Sequence, residues 1–226
     1  MQIIEIYRSI QGESSFAGWP CIFVRLAACN LRCTWCDSEY TFTGGKKMTP
    51  EEVEREVVTL GTGTLVEFTG GEPMLQEREL VPLMERMLTS GFTVLLETSG
   101  ERSLGGVPTA VHKIVDVKCP GSGEGGSFRE TNLATLTGND EIKFVLADRQ
   151  DYEFARDFIR SRGLEQKVNS VIVSPAFEKI PSEQRDVSNC MLDPRLLAEW
   201  ILEDGLNVRL GLQIHKFIWQ PAMKGV

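Results

Sequence analysis

The sequence predicts an α/β fold of mainly parallel strands, and three features of the chain support this. Short apolar runs rich in β-branched residues recur, helical patterns lie between several of them, and these helices end near glycine. This order is typical either of an open doubly wound sheet or of a whole or partial barrel. In both architectures ligands bind at the carboxyl ends of the strands. The strand-like runs are 21–27, 65–68, 92–96, 114–117, 142–146, 171–173 and 208–214.

The helical patterns carry clear start and stop signals. Thr49 can cap a helix whose first turn holds Pro50, and Glu52 completes a capping box. Residues 28–47 and the glycine-rich residues 120–127 lack a helical pattern, and we expect both to be loops over the site. Further helices are predicted over 75–89, 151–162 and 194–203, which precede Gly91, Gly163 and Gly205.

Length, charge and the first residues limit the class of protein. The 226 residues suit one domain, 1–226. The formal net charge of -8 argues against nucleic-acid binding, which normally needs a basic face. Residues 1–7 alternate apolar and polar types without a long apolar run, so we expect no signal peptide, no membrane span and a cytoplasmic location.

Six cysteines without an export signal point to metal or redox chemistry rather than to a disulfide framework. Three of them, Cys29, Cys33 and Cys36, lie close together in the predicted loop 28–47, directly after a strand. Three thiolates suit an iron-sulfur cluster, which normally takes four ligands, so one iron stays open to bind something else. The spacing therefore predicts a cluster with an open iron.

A structural zinc site is the alternative for these cysteines. Zinc in such sites takes four ligands, and no fourth Cys or His lies nearby in the sequence. Only folding could supply one, from Cys119, Cys190 or His112.

The spacing Cys29-x3-Cys33-x2-Cys36, with the aromatic Trp35 before the last cysteine, resembles the cluster loop of the radical S-adenosylmethionine superfamily. The resemblance implies a partial (β/α) barrel in which the three cysteines hold a 4Fe-4S cluster and the open iron binds S-adenosylmethionine. An electron from the cluster then releases a 5′-deoxyadenosyl radical. The protein supplies position, and the cofactor supplies reactivity.

A second mark of the superfamily lies at the end of the next predicted strand, where residues 69–73 read Thr-Gly-Gly-Glu-Pro. Two glycines let the backbone approach a ligand closely, and Glu72 can accept a hydrogen bond from an ammonium group. In relatives this motif holds the amino group of the methionine moiety. The cofactor-binding residues that the resemblance implies are Trp35, Asp37, Gly70, Gly71, Glu72, Asp116, Lys118, Ser174 and Phe177.

Three further segments, 9–14, 23–26 and 213–216, resemble one branch of the superfamily. That branch converts 6-carboxy-5,6,7,8-tetrahydropterin into 7-carboxy-7-deazaguanine with loss of ammonia, a lyase-like reaction in queuosine biosynthesis. The pterin offers an amide edge and a carboxylate, which suit amide, carboxylate and guanidinium side chains. We also expect His215 to be a catalytic residue that moves a proton during ammonia loss, because histidine is a common general acid or base. The implied substrate-binding residues are Ile10, Gln11, Gly12, Glu13, Arg25, Thr69 and His215.

The resemblance gives Ser38 the role of a magnesium ligand, because it follows Cys36 and Asp37 directly. Relatives often have threonine at this position, and serine keeps the hydroxyl group that Mg²⁺ would need. The alternative is a serine that only caps the loop through its backbone contacts.

Partners follow from the same resemblance, which implies an electron donor such as flavodoxin or ferredoxin and a homodimer. Two other functions stay open. An activating enzyme for a glycyl-radical protein uses the same cysteine spacing, and a non-catalytic metal-binding regulatory module needs no turnover. The small-molecule reaction is favoured over the activating enzyme by Gln11, Glu13 and Arg25. Release of 5′-deoxyadenosine would exclude the regulatory module.

Overall fold

The computed structural model describes residues 1–62, 64–178, 189–219 and 225. Strands and helices alternate over much of this part of the chain. Their bounds are β1 Gln2–Ile10, β2 Pro20–Leu26, β3 Lys46–Lys47, α1 Pro50–Leu60, β4 Leu65–Gly70, α2 Glu77–Thr89, β5 Thr93–Thr98, β6 His112–Asp116, β7 Glu141–Leu146, α3 Arg149–Arg162, α4 Leu164–Lys167, β8 Ser170–Pro175, α5 Pro194–Asp204, β9 Arg209–Leu210 and α6 His215–Ile218.

The described strands form one sheet in the order β3-β1-β2-β4-β5-β6-β7-β8-β9. All neighbours from β2 to β9 pair in parallel, whereas β1 pairs antiparallel with β2 and β3. The sheet is open, because its two edge strands, β3 and β9, do not pair with each other. The predicted α/β class and mainly parallel strands are confirmed, with an open sheet rather than a closed barrel.

The pleat of β2 separates the helix-packed face of the sheet from the functional face. Ile22, Val24 and Leu26 are fully buried in the main hydrophobic core, which also contains the apolar sides of the helices. Successive side chains of a strand point to opposite faces. Phe23 therefore packs in a second, smaller core, and Arg25 lines a cavity. On β2 the helix-packed face is thus apolar, and the cavity face is free to carry polar groups.

Local signals fix the helix ends as the sequence predicts. The Thr49 hydroxyl accepts a hydrogen bond from the Glu52 amide, and the Glu52 carboxylate accepts one from the Thr49 amide, which completes the capping box. Gly163 and Gly205 end α3 and α5 in the left-handed conformation that glycine adopts without strain. The helix expected from residue 75 begins instead at Glu77, after a 3-10 turn that starts at Pro73.

The structure adds to the predicted elements in two places and corrects them in one. The antiparallel strand β1 was not among the predicted strands, although residues 1–7 alternate in polarity as a half-buried strand does. The backbone between β5 and β6 is irregular, and the chain between β6 and β7 forms two 3-10 turns, Pro120–Ser122 and Glu130–Thr135. The strand predicted over 208–214 is only the exposed pair Arg209–Leu210, because the chain then leaves the sheet edge to cross the site. Within the described ranges, no helix is both long and apolar enough to cross a bilayer.

Candidate active site

One large cavity opens at the carboxyl ends of the parallel strands and collects nearly all of the predicted site residues. Its wall takes in the loop after β1, the cysteine loop after β2, the ends of β4 to β7, and residues 213–216. Of the predicted residues, only Glu72 and Ser174 do not line it. Those that do are Ile10, Gln11, Gly12, Glu13, Arg25, Cys29, Cys33, Trp35, Cys36, Asp37, Ser38, Thr69, Gly70, Gly71, Asp116, Lys118, Phe177 and His215.

The cysteine loop begins with a forced turn at Ala28. This residue has a φ of 75°, a left-handed conformation that costs a non-glycine residue about 1–3 kcal/mol. Two hydrogen bonds hold it there: its amide donates to the Thr41 carbonyl at 2.7 Å, and its carbonyl accepts from the Glu72 amide at 2.8 Å. The turn carries the chain out of β2 and places Cys29 at the cavity wall.

Gly70 and Gly71 allow this turn to pack against the end of β4. A Cβ atom at Gly70 would lie 2.2 Å from the Leu26 carbonyl oxygen, and one at Gly71 would lie 2.1 Å from the Ala28 carbonyl oxygen. Neither approach is sterically possible, because real Cβ contacts are longer than 3 Å. The glycine pair is therefore needed to seat the cysteine loop, in addition to any approach of backbone to a ligand.

The far side of the cysteine loop rests on the glycine-rich segment 120–127. The Thr34 amide donates to the Ser122 carbonyl at 2.9 Å, and the Thr34 hydroxyl donates to the Gly121 carbonyl. Because this segment follows β6, the loop is held at the ends of two different strands. The predicted loop 28–47 also contains a short 3-10 turn, Glu39–Thr41, and the strand β3.

The cysteine thiols suit a cluster better than a single ion. Burial raises the pKa of Cys29, and it raises that of Cys33 to about 11. Both thiols must therefore lose a proton when they bind metal. No three His, Cys, Asp or Glu side chains in the described part of the chain converge closely enough to hold one metal ion. Three thiols around one cavity fit a larger, multi-iron group.

Glu72 and Ser174 support the cavity wall from behind. The buried Glu72 carboxylate accepts hydrogen bonds from the Thr98 hydroxyl at 2.7 Å and from the Ser99 hydroxyl at 2.6 Å. Ser174 is buried beneath Gly211, where a Cβ would lie 2.5 Å from the serine hydroxyl oxygen. Glu72 therefore orients Thr98 and Ser99, which do line the cavity.

A buried ammonium group lies on the floor of the cavity. Lys143, on the inner face of β7, is only 3% exposed, and its Nζ lies 2.6 Å from the Glu13 carboxylate. It also contacts Glu97 and lies 3.8 Å from Asp116, which pairs with Lys118 at 2.7 Å. Burial disfavours the charge, but the surrounding carboxylates outweigh it and hold the pKa of Lys143 well above its usual value.

Two carboxyl groups on this floor have opposite protonation behaviour. Burial opposes ionisation of Glu13, but the Lys143 ammonium more than offsets it, so the pKa of Glu13 falls to about 2. Burial, followed by the Glu97 charge, raises the pKa of Glu67 well above its usual value. Glu67 accepts a hydrogen bond from the Gln11 side-chain amide at 2.7 Å. Gln11 in turn accepts one from the Glu13 backbone amide, which fixes the orientation of its amide group.

Arg25 lies on the opposite wall with its guanidinium group already oriented. Its Nε donates to Glu5 at 2.9 Å, and its Nη2 donates to the Tyr7 hydroxyl at 2.7 Å. Tyr40 donates to the same Glu5 carboxylate at 2.8 Å. Burial works against the charge, but these oxygen partners raise the pKa of Arg25, which stays cationic. A rigidly held guanidinium fork suits recognition of a carboxylate.

His215 packs directly on the loop after β1. A Cβ at Gly12 would lie 2.1 Å from the His215 Nδ1 atom, so this contact requires glycine. The Ile214 amide donates to the Gly12 carbonyl at 2.9 Å and keeps the two segments together. Burial lowers the pKa of His215, although the Glu13 charge opposes this shift, so the imidazole is neutral near pH 7.

A cysteine loop, a glycine pair and a polar cavity at the ends of a parallel sheet define the class of radical S-adenosylmethionine enzymes. The family described as the Radical SAM superfamily matches residues 24–172 of the chain. Two relatives named 7-carboxy-7-deazaguanine synthase cover all of this chain: the protein of Koribacter versatilis is 68% identical over its whole length, and that of Chlorobaculum tepidum is 42% identical over 97% of its length.

The fold has a solved counterpart as well. The crystal structure of QueE from Escherichia coli superposes with a TM-score of 0.71 over 93% of each chain, at 24% identity. The chain belongs to the radical S-adenosylmethionine superfamily and, within it, to the 7-carboxy-7-deazaguanine synthase family. It is accordingly an enzyme that uses a 4Fe-4S cluster and S-adenosylmethionine with an external reductant. This membership separates it from glycyl-radical activating enzymes, from non-catalytic modules and from structural zinc proteins.

Sequence reasoning missed three charged residues of the cavity floor, Glu67, Glu97 and Lys143. Each lies inside a strand between fully buried apolar neighbours or next to one. A charge inside such a run is itself a signal, because charged side chains are almost never fully buried unless they are paired. What the sequence could not supply is the partner, since the three residues lie on three different strands.

We expect Lys143→Met to destabilise the cluster-free protein by about 2–4 kcal/mol, because it leaves the half-buried Glu13 and Glu97 carboxylates without their cation. Urea unfolding followed by circular dichroism measures the loss. The exposed Lys46→Met on β3 is the matched control and should change stability by less than about 0.5 kcal/mol. Equal stability of the two variants would contradict the assignment of Lys143 as the central charge of the floor.

Proposed function

We propose that the chain converts 6-carboxy-5,6,7,8-tetrahydropterin into 7-carboxy-7-deazaguanine with loss of ammonia. One observation carries the proposal beyond family membership: the three cysteines share a single cavity with a set of groups that match a carboxylated pterin. Substrate and product differ by one molecule of ammonia, so the reaction is a rearrangement followed by an elimination. The required groups are donors and acceptors for a pterin edge, a cation for a carboxylate, and a group that moves a proton.

The pterin would bind between the loop after β1 and the Arg25 wall. Gln11 and Glu13 would bind the amino and amide edge together with backbone groups of Ile10 and Gly12, because their orientations are fixed before binding. Arg25 would bind the carboxylate, since its guanidinium lines the cavity and is held by Glu5 and Tyr7. Thr69, whose hydroxyl donates to Glu97 at 3.3 Å, and His215 would complete the contacts.

S-adenosylmethionine would bind on the cluster side of the same cavity. When bound, the cluster and this cofactor supply the electron and the radical that start the reaction. Cys29, Cys33 and Cys36 would hold the cluster. Trp35, Asp37, Gly70, Gly71, Asp116, Lys118 and Phe177 line this side and would contact the cofactor, with Glu72 and Ser174 acting from behind the wall.

Loss of ammonia needs a proton to be moved to or from the reacting ring. His215 suits this role because its imidazole is half-buried at the cavity wall, neutral near pH 7 and able both to accept and to donate a proton. Its neighbour Glu13 stays ionised at that pH and would stabilise a transient positive charge on the ring. His215 would thus move the proton, and Glu13 would stabilise the charge beside the pterin-binding edge.

Anaerobic turnover of the cluster-loaded protein with dithionite, S-adenosylmethionine and 6-carboxytetrahydropterin tests the proposal. We expect 7-carboxy-7-deazaguanine and ammonia in equal amounts, and Arg25→Lys should weaken pterin binding about tenfold or more while S-adenosylmethionine still binds. Cys33→Ala should lose iron, whereas the control Cys119→Ala, which changes a buried thiol outside the triad, should keep it. Cofactor cleavage that leaves the pterin unchanged would refute the substrate assignment.

We also propose that Ser38 ligates Mg²⁺ and so brings the ion to the substrate. Ser38 lines the cavity, and its hydroxyl does not cap the 3-10 turn Glu39–Thr41. The Ser38 carbonyl closes that turn by accepting hydrogen bonds from the Thr41 amide and hydroxyl. A hydroxyl and substrate oxygens are suitable ligands for this hard cation. The ion would offset negative charge that develops during the rearrangement.

Ser38→Ala should keep the cluster and cofactor cleavage without pterin but lose the stimulation of product formation by Mg²⁺. Ser38→Thr should retain that stimulation, since it keeps the hydroxyl. Product formation is measured across a Mg²⁺ titration in both variants. Full stimulation of Ser38→Ala would place the ion elsewhere.

A flavodoxin or ferredoxin reductant and a homodimer remain predictions from the resemblance, and a cytoplasmic location remains a prediction from the sequence.

A further inference from the structure

The segment 211–216 leaves the sheet edge and joins the two loops that form the opposite sides of the cavity. On one side, the Ile214 amide donates to the Gly12 carbonyl, and the Gln213 side chain donates to Glu13 at 2.8 Å. On the other side, the Lys216 ammonium lies 3.1 Å from the carboxylate of Asp37, the residue that follows Cys36. The segment therefore contacts the pterin-binding loop and the cysteine loop at once.

Three partners hold the Lys216 ammonium in place. Besides Asp37, its Nζ donates to the Gln213 side-chain carbonyl at 2.5 Å and lies 4.5 Å from the centre of the Phe177 ring. The side chain is only 10% exposed, although that of Asp37 is 44% exposed. An ion pair with one half-exposed partner contributes little to global stability. We therefore assign the Lys216–Asp37 pair the role of fixing the position of the cysteine loop relative to the segment 211–216.

Gln213 extends the contact from Lys216 into the cavity floor. Its carbonyl accepts from Lys216 while its amide nitrogen donates to Glu13, and Glu13 pairs with Lys143. A continuous chain of polar contacts thus runs from the residue after Cys36 to the buried cation on β7. His215, between Gln213 and Lys216, is held in the middle of it.

We infer that Lys216 is a positioning residue that couples the cysteine loop to the pterin-binding loop, so that cofactor cleavage and pterin conversion stay matched. The inference rests on the proposed function for the identity of the substrate. Without the ammonium, the cysteine loop and the loop carrying Gly12 and Glu13 lose their shared anchor. The pterin then binds less tightly, and the radical forms without a correctly placed substrate.

The test compares Lys216→Met, Lys216→Arg and the exposed control Lys46→Met as cluster-loaded, anaerobic proteins. Calorimetry gives the affinity for 6-carboxytetrahydropterin without S-adenosylmethionine, and turnover gives the ratio of 5′-deoxyadenosine to product. Lys216→Met should weaken pterin binding about tenfold, the loss of one charge-assisted contact, and raise the ratio several-fold. Lys216→Arg should recover part of the coupling, and Lys46→Met should match the wild type in affinity, in the ratio and in cofactor cleavage without pterin.

Gln213→Met provides a second variant that keeps the Lys216 charge but breaks the contact to Glu13. It should shift the affinity and the ratio in the same direction, which keeps the inference testable if Lys216→Met fails to fold. Wild-type affinity and wild-type ratio in either folded variant would overturn it. Failure of the wild-type protein to convert the pterin would instead refute the proposed function, so the two failures are distinguishable.

Discussion

The site depends on one interaction, the ion cluster that Lys143 forms with the carboxylates of Glu13 and Glu97 on the floor of the cavity. A buried ammonium with ionised partners is stable only when its geometry is fixed, and removal of either side leaves an uncompensated charge. This cation draws a residue of the loop after β1 against the sheet interior. The backbone around Glu13, which would contact the pterin edge, is thereby held although the loop has no regular structure.

The cysteine loop is held by a different means, close backbone packing rather than charge. Because Gly70 and Gly71 have no Cβ, the backbone at Leu26 and Ala28 can pack directly against them. The left-handed turn at Ala28 then directs Cys29 to the cavity. The two modes suit the two ligands. A cluster needs thiols at fixed positions, whereas a polar pterin needs a floor with defined charges and fixed hydrogen-bond directions.

Sequence reasoning succeeded where the signal is local. The capping box at Thr49 and the apolar runs of the parallel strands each depend on neighbouring residues, and the structure agrees with them. The cysteine spacing is equally local, and family membership agrees with the cluster that it predicts. It failed where the outcome depends on distant partners. The run 208–214 is apolar enough for a strand, yet the chain leaves the sheet there. Gln213 binds Glu13 on the loop after β1, and Lys216 pairs with Asp37 on the cysteine loop. Glu67 and Lys143 were missed because nothing nearby in the sequence marks their partners.

The central claim is that the Lys143 ammonium lowers the pKa of Glu13, while burial and the Glu97 charge raise the pKa of the neighbouring Glu67. Nuclear magnetic resonance of carboxyl-labelled glutamates, assigned with Glu13→Gln and Glu67→Gln, measures both groups directly across a pH titration. The account predicts that Glu13 titrates near pH 2 and that Glu67 titrates well above its ordinary value of 4.5. Titration of both carboxyl groups near their ordinary value of 4.5 would contradict it.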